Sequence, residues 1–150
     1  AEQYDQMFDS ESLMLLNFHL AIRSMFLKEY KNAFRLLERI LHEHHGMRVD
    51  ILQNAHVLSL LCIYEIDSVN LFQSRERSYL RHYQTRSGEG QDVHTKMIHL
   101  LAHVYQFKNN AEMVRKNIKE LESYTDDKMK QNDVNRLLGE TVLGWVRKKI

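Results

Sequence analysis

Apolar residues recur along this chain at the three- and four-residue spacings of an α-helix. After Ser10, Leu13, Leu16, Leu20 and Leu27 fall on one helical stripe, and Met14, Phe18, Ala21 and Met25 fall on a neighbouring one. The pattern predicts a helix over about 9–28, apolar on two faces and therefore packed on two sides. A tight turn at Lys28–Asn32 leads into a second helix, about 31–45, with Ala33, Phe34, Leu37, Ile40 and Leu41 on its buried stripe. Gly46, after His44 and His45, reads as a C-terminal stop with cations at the negative end of the helix dipole.

The same reading continues through the chain. Asp50 is a candidate cap for a third helix, about 51–66, carrying Ile51, Leu52, Ala55, Leu58, Leu61 and Cys62. Asp67 and Ser68 mark a turn before a fourth, about 69–86, with Leu71, Phe72, Tyr79, Leu80 and Tyr83. Ser87-Gly88-Glu89-Gly90 is the clearest loop. Asp92 caps a fifth helix, about 93–107, with Val93, Met97, Leu100, Leu101, Val104 and Tyr105. Beyond the Lys108–Asn110 turn, Ala111, Val114, Ile118 and Leu121 give a sixth, about 111–124, ended by Thr125-Asp126. Val134, Leu137, Leu138, Val142, Trp145 and Val146 give a seventh, about 127–149, with Trp145 as a core anchor and a cationic last turn, Arg147-Lys148-Lys149.

Composition narrows the fold class. The chain has 150 residues, no proline and five glycines, too few turn formers for an all-β fold. It lacks the continuous β-branched runs of a parallel sheet. An apolar share of 43% and a charged share of 27% exclude a disordered chain and leave an all-α globular protein. No apolar stretch is read as a membrane span of about 18 residues, and no signal peptide is seen, so no membrane partner is expected. Cys62 is the single cysteine and reads as a small core residue in a chain that needs no oxidising compartment, which points to the cytoplasm. The chain opens on Ala1, as a processed protein or a piece of a longer one does. Net charge is +1, but residues 1–70 carry 6 Lys/Arg against 10 Asp/Glu and residues 71–150 carry 15 against 10. That asymmetry can orient an end-to-end contact.

The first six helices group into three hairpins, about 9–45, 51–86 and 93–124, with short turns inside each and longer loops between them. Aligning the second helices superposes Ala33, Ser74 and Ala111, small residues that let two helix backbones approach. The segment with Leu20-Ala21, Tyr30, Ala33, Leu37 and Ile40 resembles a tetratricopeptide repeat. The second hairpin is similar through Leu61-Cys62, Leu71 and Ser74; the third keeps Ala111 but has His99 where a small residue is expected. The resemblance covers about residues 13–124, is divergent, and is closer to uncharacterised bacterial repeat proteins than to consensus modules. No repeat closes on a proline, and the period exceeds the usual length of about 34 residues. It implies a right-handed superhelix, with the seventh helix as the solvating end cap.

The resemblance further implies a scaffold that binds a peptide or protein along a concave face. Carried over by position, that face includes Leu15, Phe18, Ile22, Met25 and Phe26, then His56, Ser59, Ile63 and Asp67, then Lys96, Leu100 and His103. The asparagine–lysine clamp for an acidic C-terminus is not present as a set. The apolar character of the first helix also points to upstream chain, self-association or a peptide groove.

His99 and His103, four residues apart, share a helix face and are the alternative metal ligands. Leu-Leu-Ala lies between them, without the glutamate of the metalloprotease motif. His42, His44 and His45 are explained by the helix dipole. Arg75, Arg77, Arg81, His82 and Arg86, interleaved with Tyr79 and Tyr83, form a cationic run that reads first as a solvated or structural face, then as a grip for an acidic protein segment, with nucleic acid the weakest reading. No nucleophile–base pair, phosphate loop or carboxylate pair marks an enzyme. The expectation is a non-catalytic interaction scaffold without a cofactor. Its partner-binding residues are His56, Ser59, Asp67, Arg75, Arg77, Arg81, Lys96 and His103.

Overall fold

The computed structural model describes residues 9–43, 48–86, 93–128 and 133–149, and these form seven α-helices and no strand. They are α1 (Ser10–Phe26), α2 (Tyr30–Glu43), α3 (Val49–Ile66), α4 (Val69–Arg86), α5 (Val93–Gln106), α6 (Ala111–Lys128) and α7 (Asp133–Lys149). The all-α class and the order of helices follow the sequence pattern. The chain divides into two compact units, Ala1–Ile66 and Asp67–Ile150. The division falls inside the expected second hairpin, so α3 belongs to one unit and α4 to the other.

In the first unit, α2 packs against both α1 and α3. Asp9 caps α1: its Oδ1 accepts the Ser12 N–H at 2.7 Å, which holds its carboxyl below the usual carboxylate range. The helix ends in a Schellman pair, Lys28 N–H to Met25 C=O at 3.0 Å and Glu29 N–H to Ser24 C=O at 2.8 Å, with Lys28 at φ 61°. Asn32 Nδ2 donates to Ser24 Oγ at 2.8 Å and fastens the turn from the other side. Only one of the two apolar stripes of α1 is inside. Met14, Phe18, Ala21, Ile22 and Met25 are buried, whereas Leu16, Leu20 and Leu27 are exposed. Phe18, Ile22 and Met25 thus belong to the core rather than to a concave surface.

Ala33, Leu36, Leu37 and Ile40 form the buried stripe of α2; Phe34 and Leu41 are half-buried. Asp50 lies within the first turn of α3 rather than capping it from outside. Its two oxygens accept from Arg48 Nε at 3.0 Å and Nη2 at 2.8 Å, and Arg48 Nη1 donates to Glu11 Oε1 at 2.9 Å, joining the starts of α1 and α3. α3 is the most deeply buried helix of this unit, with Ile51, Ala55, Val57, Leu58, Leu60, Leu61, Cys62 and Ile63 all fully buried. Burial pushes the Cys62 thiol up to about 12. By length and composition alone α3, with 18 residues, is apolar enough to cross a membrane, which corrects the expectation that no such stretch exists; more than half of it is buried inside the protein.

In the second unit, α5 packs on α4 and α6, and α6 packs on α7. Phe72, Tyr79, Met97, Ile98, Leu100, Leu101, Val104, Tyr105, Ile118, Leu121, Leu138, Val142, Trp145 and Val146 are its buried apolar side chains, so Leu100, like Ile63 of α3, belongs to the core rather than to a concave surface. α6 runs through Thr125-Asp126 to Lys128, so the expected break there is absent. The small residues aligned across the hairpins diverge: Ala33 is fully buried, but Ser74 and Ala111 are exposed. His44, His45, Gly46, the Ser87–Gly90 loop and Asp92 lie outside the described residues, as do the side chains of His82, Tyr83 and Arg86.

Candidate partner-binding cleft

α4 and α5 lie side by side, joined by an aromatic pair. Phe72 of α4 stacks on Tyr105 of α5, with ring centroids 4.2 Å apart and planes at 11°. Lys108, in the turn after α5, places its Nζ 5.0 Å from the centre of the Tyr105 ring and forms an ion pair with Asp67. Asp67 sits at φ 62° just before α4, a left-handed position that a short acidic side chain tolerates better than most. Burial pushes the Tyr105 phenol up; Lys108 opposes the shift and Asp67 reinforces it.

Above this aromatic wall the two helices leave a cleft of about 510 Å³. Val69, Phe72, Gln73 and Glu76 line it from α4; His99, Ala102, His103, Tyr105 and Gln106 line it from α5; Lys108 and Asn109 line it from the turn that follows. Each helix contributes positions i, i+3, i+4 and i+7, which is one face of two helical turns. The lining combines Val69, Phe72, Ala102 and the Tyr105 ring with three carboxamides, two imidazoles, a carboxylate, a phenol and the Lys108 ammonium. Carboxamides both donate and accept, so they match the alternating groups of a peptide backbone.

The expected site residues are dispersed. His103 lines the cleft, and Asp67 supports it through Lys108. Arg77 and Arg81 are exposed on α4 and border a separate depression of about 250 Å³ with Ser74 and Ser78; Arg77 Nε donates to Gln73 C=O at 3.3 Å. Lys96 faces α6, with its Nζ 3.5 Å from Glu120 Oε1. Arg75 is half-buried. In the first unit, His56 is half-buried, and Ser59 is fully buried with its hydroxyl donating to the His56 C=O at 2.8 Å. Ser59 is therefore withdrawn from the surface on which a partner was expected to meet it.

His99 and His103 do share the cleft, as their spacing implies. No three His, Cys, Asp or Glu side chains converge as a metal-ligand group among the described residues, so the two imidazoles stand as a pair. Gln73, Glu76, Gln106 and Asn109 were not singled out as site residues by the sequence. Their signal was the pair of polar stripes at helical spacing on α4 and α5, each of which alone looks like a solvated face.

No family model matches the chain, and no curated protein or solved structure matches it either.

Proposed function

We propose that this chain is a non-catalytic interaction module, a divergent tetratricopeptide-like helical array, that receives a short peptide segment of a partner protein in the α4–α5 cleft. The observation that carries this reading is the composition of the cleft: the carboxamides of Gln73, Gln106 and Asn109 line it together with apolar Val69, Phe72 and Ala102. Such a lining grips backbone amides with its carboxamides and one apolar side chain with its base. The full burial of Ala33 where α1 and α2 pack supports the repeat-like reading of the first hairpin. The free, buried thiol of Cys62 suits a reducing, cytoplasmic setting.

The test is selection of a displayed random-peptide library on the immobilised protein, followed by fluorescence-polarisation titration of the enriched peptides. Two lost hydrogen bonds at about 1 kcal/mol each predict a weakening of about 30-fold in the Gln73→Ala/Gln106→Ala variant. The Arg77→Ala/Arg81→Ala variant keeps wild-type affinity. Peptides that bind both variants equally, or that depend on the arginines alone, refute the cleft as the site; in the latter case the cationic face of α4 takes its place.

A further inference from the structure

The outward face of α1 carries an apolar seam that packing among the described residues of the first unit leaves uncovered. Leu16, Leu20 and Leu27 are 46%, 39% and 58% exposed, and they lie opposite the buried stripe of Met14, Phe18, Ala21 and Met25. With Leu13 and Arg23 they run 13, 16, 20, 23, 27 along the chain, alternating steps of three and four. That alternation is the spacing of a coiled-coil seam, with a single charged residue set among leucines. Phe26, 57% exposed, flanks it. The helix is about 25 Å long at 1.5 Å per residue, enough for two full heptads.

Charge identifies what fits this seam. On the seam side of α1, Asp9 stands at the N-terminal end and Arg23 near the C-terminal end, while Glu11 faces α3 through Arg48. Asp9 caps Ser12 through one oxygen, so its second oxygen can still accept. A second α1 laid parallel would bring like charges together at each end. Laid antiparallel, it brings the acidic end of each helix to the basic end of the other and opposes the two helix dipoles. In the register that sets Leu16 against Leu20 of the second copy, Arg23 covers the second copy's Leu13 and its guanidinium reaches toward Asp9.

We propose that α1 is a self-association face, pairing two copies of this chain as an antiparallel, two-fold symmetric helix pair through Leu16 and Leu20. Such a contact is isologous and closes on itself, so it yields dimers rather than filaments. It is independent of the peptide cleft, which belongs to the other unit. A single helix pair buries less than the roughly 1,200 Å² of a standard stable interface, so the dimer is weak and reversible.

Sedimentation equilibrium of the full chain, over concentrations from about 5 to 500 μM, tests it. The expected result is a monomer–dimer equilibrium within that range. Leu20→Glu, at a position folding does not use, leaves the helical circular-dichroism signal intact and weakens dimerisation at least tenfold. Arg23→Glu weakens it as well. Oxidative cross-linking gives the orientation: Leu13→Cys chains link to Arg23→Cys chains in a mixture and do not link to themselves, while buried Cys62 stays silent. A chain that remains monomeric throughout assigns the seam to another occupant and overturns the proposal. So does a dimer indifferent to Leu20→Glu, or one in which Leu13→Cys cross-links with itself.

Discussion

Among the described residues two non-glycine positions have left-handed backbone, Lys28 at φ 61° and Asp67 at φ 62°, and the same substitution has different consequences at each. An L-residue in this conformation costs about 1–2 kcal/mol. Glycine escapes that cost but surrenders about 0.5–1 kcal/mol more backbone entropy on folding. Lys28 follows the end of α1, and its side chain is exposed, with no hydrogen bond or ion pair to any described residue. Lys28→Gly therefore stabilises the protein by about 0.5–1 kcal/mol, because the Schellman pair is a backbone feature that survives the change. At Asp67 the starting strain is smaller, since aspartate tolerates the left-handed region. The substitution also removes the ion pair with Lys108, which for exposed groups is worth about 0–1 kcal/mol. Asp67→Gly is then neutral or slightly destabilising. Urea unfolding followed by circular dichroism at 222 nm measures both. A Lys28→Gly variant less stable than wild type, or an Asp67→Gly variant gaining more than Lys28→Gly, refutes the reasoning.

Three further outcomes are expected. Gly144 sits inside α7 with nothing within 4 Å of where a Cβ would lie, so Gly144→Ala raises stability by about 0.5–1 kcal/mol in the same urea assay. The Cys62 thiol, pushed up to about 12, stays protonated in the native state. At pH 8 it fails to react with a thiol-specific disulfide reagent until urea unfolds the chain, after which it reacts stoichiometrically. Asp50 is held below the usual carboxylate range, chiefly by Arg48. A depressed folded-state pKa contributes stability above the unfolded value of 3.8, and loses it as pH falls through the folded value. The stability difference between wild type and Asp50→Asn is accordingly present at pH 6 and vanishes toward about pH 2, as acid-unfolding midpoints will show.

What the sequence revealed was periodic and local. Helix limits were close wherever a turn carried its own chemistry, as at Asp9, Lys28 and Asp67. The limit failed at Thr125-Asp126, where α6 continues through residues that favour caps. Spacing alone did not rank the two stripes of α1: Leu16 and Leu20 are as apolar as Met14 and Phe18, and only the position of α2 decides which set is inside. The aligned small residues misled for a related reason. Ala33 lies where α1 and α2 approach closely, but Ala111 opens α6 at its exposed first turn. The cleft itself exists only once α4 and α5 are side by side, because Gln73 and Gln106 are 33 positions apart and neither is unusual on its own helix.

The matched faces of α4 and α5 set the scale of anything held between them. Seven residues of helix advance about 10 Å, which an extended chain covers with roughly three residues. A guest of that size has about 25 non-hydrogen atoms, and at about 0.3 kcal/mol per atom its affinity ends in the low micromolar range. Tighter capture would require two such grips to act together. A protein that both holds a three-residue motif and pairs weakly with its own copy would respond to clustered motifs and release isolated ones.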